Sequence, residues 1–142
     1  MKLKKLPPIL HESIVVFVGL RVDHHRVLCI KKVRGSQESL WLPNAPLPRN
    51  AQAEAVALDI RNTYIEDELA FRRTFTAYAP MRLSHGKGTI DVWACAEFVD
   101  ERCRVKNPHT AIWIPFEQLL DDDQSAETWT ALLALEHKHH LI

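Results

Sequence analysis

The sequence predicts an α+β domain in which β-strands pair around one amphipathic helix and a second helix closes the chain. Three observations carry this. Segments 13–22, 26–33, 69–79 and 89–99 are rich in β-branched and aromatic residues and alternate in polarity, the pattern of half-buried strands. Among them, Ala53, Val56, Ala57, Ile60 and Tyr64 recur at three- and four-residue steps and make one apolar helical stripe. Near the end, Trp129, Leu132, Leu133 and Leu135 form the apolar side of a helix over 125–136, capped by Ser125.

Residues 1–8 are basic with two prolines and read as a flexible arm. Segments 13–22 and 26–33 form a hairpin whose turn holds Asp23, His24 and His25; adjacent histidines in an extended stretch point apart, so this pair reads as turn rather than metal site. Lys31, Lys32 and Arg34 close the second strand, as a solvated end or as a phosphate-facing rim. A polar loop over 35–39 follows, then Trp41-Leu42-Pro43. The helix over 52–64 takes Asn50 as its N-cap. If it persists to Glu66, then Asp59, Asn62, Thr63 and Glu66 share its polar side.

Segments 69–79 and 89–99 read as a long hairpin with a glycine-containing turn at 84–88. A short strand over 111–115 stops at Pro115 and leads into a helical turn over 116–120. Asp121, Asp122 and Asp123 lack calcium-loop spacing and read as solvated. His137 and His140 are three apart, which on a helix allows a shared zinc ion, but a basic helix C-terminus is also favoured by the dipole alone.

The chain of 142 residues, 46% apolar and 25% charged, suits a single domain over 1–142 with a real core. Its 18 basic residues balance its 18 acidic ones, so no overall field draws it to nucleic acid or an anionic membrane. Cys29, Cys95 and Cys103 lack paired spacing and read as buried thiols. No segment reaches the roughly 18 apolar residues of a membrane span. Pro7-Pro8 stand where a signal peptide needs an apolar helix, so the expected location is cytoplasmic.

The order of elements, with Trp41-Leu42-Pro43 before the central helix and Trp113-Ile114-Pro115-Phe116-Glu117-Gln118-Leu119 late in the chain, resembles the Nudix hydrolase family over nearly its whole length. The resemblance implies an α/β/α sandwich with a mixed sheet, a loop-helix unit at about 41–66 and a C-terminal helix. It also implies a homodimer and a nucleotide or nucleotide-sugar ligand. The family's box, G-x5-E-x7-R-E-U-x-E-E-x-G-U, holds Mg²⁺ on carboxylates so that water attacks a diphosphate.

Here Asn44-Ala45 replace the paired glycines, Leu58 the arginine, and Asn62-Thr63 the paired glutamates; Asp59 alone keeps a helix carboxylate. Neutral oxygens hold Mg²⁺ weakly. The expectation is therefore a Nudix-fold protein lacking standard pyrophosphohydrolase activity and needing no cofactor, a ligand-binding or protein-interaction module. Its candidate ligand residues are Lys32, Arg34, Trp41, Asn44 and Asn62. The alternative is a divergent Mg²⁺-dependent hydrolase of nucleoside diphosphate derivatives, with Asp59 catalytic and Asp59 and Glu66 as metal ligands.

Overall fold

A computed structural model of the chain describes residues 11–21, 25–66, 76–77, 81–85, 88–99 and 103–121. The arm over 1–8, His24, the segment 69–75, Asp122, Asp123, the helix over 125–136, His137 and His140 lie outside the described residues. In chain order the strands are β1 (His11–Arg21), β2 (Arg26–Arg34), β3 (Gln37–Trp41) and β4 (Asn44–Pro46). Helix α1 (Ala53–Tyr64) comes next, followed by β5 (Ile65–Glu66), β6 (Thr76–Ala77), β7 (Met81–His85), β8 (Gly88–Val99), β9 (Arg104–Val105), β10 (Ala111–Pro115) and α2 (Phe116–Asp121).

β1 and β2 form the expected antiparallel hairpin, in register at Leu20↔Val27 and Arg21↔Arg26. His25 adopts φ 47° at its turn, a left-handed value that turn histidines tolerate better than β-branched residues do. Beyond that point the two strands part, and the chain fills the gap. β3 runs back along β2 from Arg34↔Gln37 to Ile30↔Trp41, while β4 pairs with β1 from Val16↔Asn44 to Ile14↔Pro46. The Phe17 N–H donates to the Pro43 carbonyl at 2.9 Å, joining the two limbs.

The polar loop expected over 35–39 is therefore a tight turn and the start of a strand. Gly35, at φ 63°, takes the left-handed conformation that lets the chain reverse within two residues, so Gln37 is already paired.

β8 is the spine of the sheet. It runs parallel to β1 through their whole shared length, from His11↔Thr89 to Arg21↔Val99, and its other edge pairs antiparallel with β7 and β6. The expected antiparallel pairing of 69–79 with 89–99 is present at Thr76 and Ala77, and β7 extends it towards the turn, from Met81↔Val92 to His85↔Gly88. Thr76 and Ala77 pair separately with Ala96 and Cys95. β10 lies antiparallel on β2, Ala111↔Ile30 to Pro115↔Arg26, and proline ends it as predicted. The sheet is mixed, in the order β10-β2-β1-β8-β6, with β3, β4 and β7 attached beside it.

Alternation along β1 sends Val15 and Phe17 to one face and Val16, Val18 and Leu20 to the other. The first face meets Ala53, Ala57 and Ile60 of α1; the second packs against Leu119 and Phe116 of α2. Burying a side chain such as Phe17 or Leu28, both fully inaccessible, contributes about 1.5–3 kcal/mol each. All three cysteines are buried thiols, as expected.

The N-terminal end of α1 differs from the sequence reading, whereas its C-terminal end falls at Tyr64 as expected, without the extension to Glu66. Gln52, extended at φ −91° and ψ 138°, precedes the first turn and makes no side-chain cap bond. Its carbonyl accepts the N–H groups of Ala55 and Val56 at 3.1 and 3.2 Å. Asn50 instead occupies the left-handed corner, φ 68°, of a turn closed by the Ala51 N–H on the Pro48 carbonyl at 3.1 Å. At the other end Ile65, only 1% exposed, leaves the helix to pair with Val105 in a two-stranded ladder, while Glu66 faces Arg104. A buried β-branched residue with a strand partner outweighs one more helical turn.

Candidate ligand site

Two groups of side chains contain the predicted site residues. The first lies where β2 has parted from β1 and pairs with β3. The Lys32 ammonium stands 4.4 Å from the centroid of the Trp41 ring. Trp41 Nε1 donates to Ser39 Oγ at 3.0 Å, and that hydroxyl donates to the Lys32 carbonyl at 3.4 Å. Trp41 is half-buried and packs on the α1 side of the sheet, so one edge of this cation–aromatic pair is fixed by the core. Asn44 is exposed, and its Nδ2 donates to the Leu42 carbonyl at 3.0 Å. Arg34 ends β2 opposite Gln37; its side chain lies outside the described residues.

The second group lies on α1. Glu54, Ala55, Leu58, Asp59, Asn62 and Thr63 are exposed on its outer side. Thr63 Oγ1 donates to the Asp59 carbonyl at 2.7 Å, one turn back, and is spent on the helix backbone. Asn62 Oδ1 accepts from Arg61 Nη1 at 3.4 Å. The Asn62 carbonyl accepts from Lys106 Nζ, and the Lys106 N–H donates to the Tyr64 carbonyl at 2.8 Å, so one residue satisfies two acceptors of the last turn.

Beneath this surface is a pair that the sequence reading missed. Arg61 and Glu97 are buried, with side chains each 4% exposed, and Arg61 Nε donates to Glu97 Oε2 at 2.6 Å. The bond spans from α1 to the C-terminal end of β8. A signal existed: position 61 falls four residues after Ala57, on the apolar stripe, and Glu97 is the one acidic residue in an otherwise apolar run from Val92 to Val99. A charge at a core position requires a partner. Nearby, burial pushes the Cys95 thiol up to about 11, with the negative charge of Glu54 adding to the rise.

Lys32 and Trp41 are thus in direct contact, and Asp59 and Asn62 share one helix surface. Glu66 does not join them, because α1 ends at Tyr64 and Glu66 belongs to β5. Among the described residues no three metal-binding side chains gather. The donor set does not fit Mg²⁺. Asp59 is the one carboxylate kept from the box, the Thr63 hydroxyl is engaged, and Asn62 offers a neutral oxygen that already faces a guanidinium.

No family sequence model matches the chain, and no curated protein sequence matches it. Its fold is similar to solved structures. The ORF135 protein of E. coli is 13% identical with a TM-score of 0.62, covering 96% of this chain and 98% of that one. A NUDIX hydrolase from Nitrosomonas europaea is 10% identical with a TM-score of 0.58, covering 90% of both chains. The NUDIX domain of Shewanella oneidensis NrtR, solved with ADP ribose, is 10% identical with a TM-score of 0.61, covering 96% of this chain and 91% of that one. The chain has the Nudix fold, an α+β sandwich on a mixed sheet.

Among the described residues no helix is long and apolar enough to cross a membrane.

Proposed function

We propose that this Nudix-fold chain is a ligand-binding module that does not carry out the metal-dependent hydrolysis of the hydrolases sharing its fold. One observation carries the reading: the outer surface of α1. There Asp59 has no second carboxylate at a three- or four-residue step, Asn62 and Thr63 are turned to Arg61 and to the helix backbone, and Glu66 has left the helix for β5. Pyrophosphate cleavage needs divalent metal to neutralise the diphosphate and activate water, and carboxylates at i, i+3 and i+4 would have to converge to hold it. Binding needs less. A cation to meet phosphate and an aromatic surface to meet a base are both available in Lys32 and Trp41.

The ligand class is a nucleotide or nucleotide-sugar, with Lys32, Arg34, Trp41, Asn44 and Asn62 as its contacts. The ADP ribose bound to the NrtR domain, which has the same fold, supports that class.

Isothermal titration against ADP ribose and a set of nucleotide sugars, paired with a phosphate-release assay in excess Mg²⁺, tests the reading. Heat with at least one ligand, with no phosphate release above the blank, is the expected result. Phosphate release that disappears in Asp59→Asn would replace the reading with the divergent hydrolase, with Asp59 as a metal ligand. Flat titrations throughout would remove ligand binding and leave the protein-interaction role.

A further inference from the structure

We propose that the open edge of β2 at positions 31–34 is a docking site for an extended, acidic segment of another protein, which adds to the sheet as a further strand. Its defining groups are the main chain of β2 and the side chains of Lys31 and Val33, which the ligand reading does not use.

The Lys31 N–H donates to the Thr110 carbonyl at 2.9 Å, so the main chain of Lys31 faces away from β3, and that of Val33, two residues on, faces the same way. β10 covers this edge of β2 only from Arg26 to Ile30. Before β10 the chain is drawn off in a turn, the Thr110 and Ala111 N–H groups both donating to the Asn107 carbonyl at 3.1 and 3.2 Å. Among the described residues nothing therefore pairs with the Lys31 carbonyl or with the N–H and carbonyl of Val33. The tip is open as well, since no atom lies within 4 Å of where a Cβ on Gly35 would stand. An unpaired row of this kind is a template for one more strand.

The side chains select which strand. Positions 31, 32 and 34 are basic, and Val33 between them is 66% exposed, more than any other large apolar residue among those described. Alternation from Cys29, which packs on the α2 side of the sheet, puts Lys31 and Val33 on that same side. Antiparallel pairing of two copies about Val33 would set Lys32 opposite Arg34, and like charges directly opposite destabilise a sheet. The edge thus resists its own copy. A partner strand of complementary chemistry carries acidic, apolar, acidic and acidic residues opposite Arg34, Val33, Lys32 and Lys31. Glu38 lies across from Val33 on β3 and offsets part of the positive charge, so the expected affinity is modest and salt-sensitive.

Lysines on a strand edge also serve simply to block pairing, so the test must separate a docking edge from a protected one. A capped peptide, Thr-Glu-Val-Glu-Glu-Thr, is titrated into the full isotope-labelled chain at low salt, and hydrogen exchange of the Val33 amide is followed by NMR. Saturable binding that slows this exchange is expected, roughly fivefold weaker in Lys31→Glu, where attraction becomes repulsion. Binding should vanish when the peptide is N-methylated at its valine and last glutamate, which removes the donors to the Val33 and Lys31 carbonyls and leaves the charge unchanged.

Equal binding of the N-methylated peptide would overturn the proposal in favour of charge attraction alone. This comparison uses the parent protein and holds even where Lys31→Glu fails to fold. Absence of peptide binding would leave the lysines as a block against pairing, and protection of the Val33 amide that grows with protein concentration without peptide would assign the edge to a second copy; either result overturns the proposal.

Discussion

Replacing Arg61 by leucine tests whether α1 is held to the sheet by charge as well as by its apolar stripe. Arg61 Nε and Glu97 Oε2 are 2.6 Å apart. At an effective dielectric of 20 the gross attraction between unit charges at that separation is about 6 kcal/mol. Desolvating the two ions cancels much of it, since burial costs several kcal/mol per ion. The pair as a whole is therefore nearly neutral in net stability.

Removing one partner is not neutral. Arg61→Leu leaves the Glu97 carboxylate in a site 4% exposed, where water cannot replace the guanidinium. Breaking a buried pair in this way costs about 3–5 kcal/mol. With a urea m-value of about 2 kcal/mol/M for a domain of this size, the unfolding midpoint falls by roughly 2 M. The double variant Arg61→Leu/Glu97→Leu should recover most of the loss, because neither charge of the pair remains in the core. Urea unfolding followed by tryptophan fluorescence reads all three proteins. A single-variant cost under about 1 kcal/mol, or a double variant no more stable than the single, would refute the reasoning.

Two further expectations follow from the core. The Cys95 thiol, raised from 9.0 to about 11, keeps its proton in the folded chain at pH values where the unfolded chain has lost it. Its contribution to stability is therefore complete below pH 9.0 and declines as pH rises towards about 11. Denaturation midpoints across that window should fall more steeply in the parent than in Cys95→Ala, and parallel curves would contradict this. In Gly19→Ala the new Cβ would lie 3.0 Å from the Phe17 ring and 3.5 Å from Leu28 Cβ, so the buried ring must shift. A loss of about 1–3 kcal/mol is expected, and an unchanged midpoint would show that the ring yields freely.

The parts of the fold legible from sequence are those governed by local periodicity. Ala53, Ala57 and Ile60 are buried because a helix brings residues three and four apart to one side. The β1–β2 hairpin and β10 are where β-branched runs between breakers put them. What misled the reading was pairing between distant segments. Nothing within residues 35–46 announces that β3 and β4 fill the space between β1 and β2, because that space exists only once those strands have diverged. Glu66 could be placed on a helical face by counting, but Val105, 40 positions later, draws Ile65 into a strand and takes Glu66 with it.

The site divides along the same line. Sequence by itself determined its chemistry: Leu58, Asn62 and Thr63 cannot supply the charges of a metal-binding helix, whatever the surrounding fold. Only the tertiary structure decided what stands there instead. It turned Arg61 inward to Glu97, laid Lys32 across Trp41, and brought Lys106 to the end of α1. The reason is physical. Side-chain type fixes which charges and donors a chain carries, whereas the contacts among Arg61, Glu97 and Lys106 span 36 residues or more and depend on the sheet that brings those segments together.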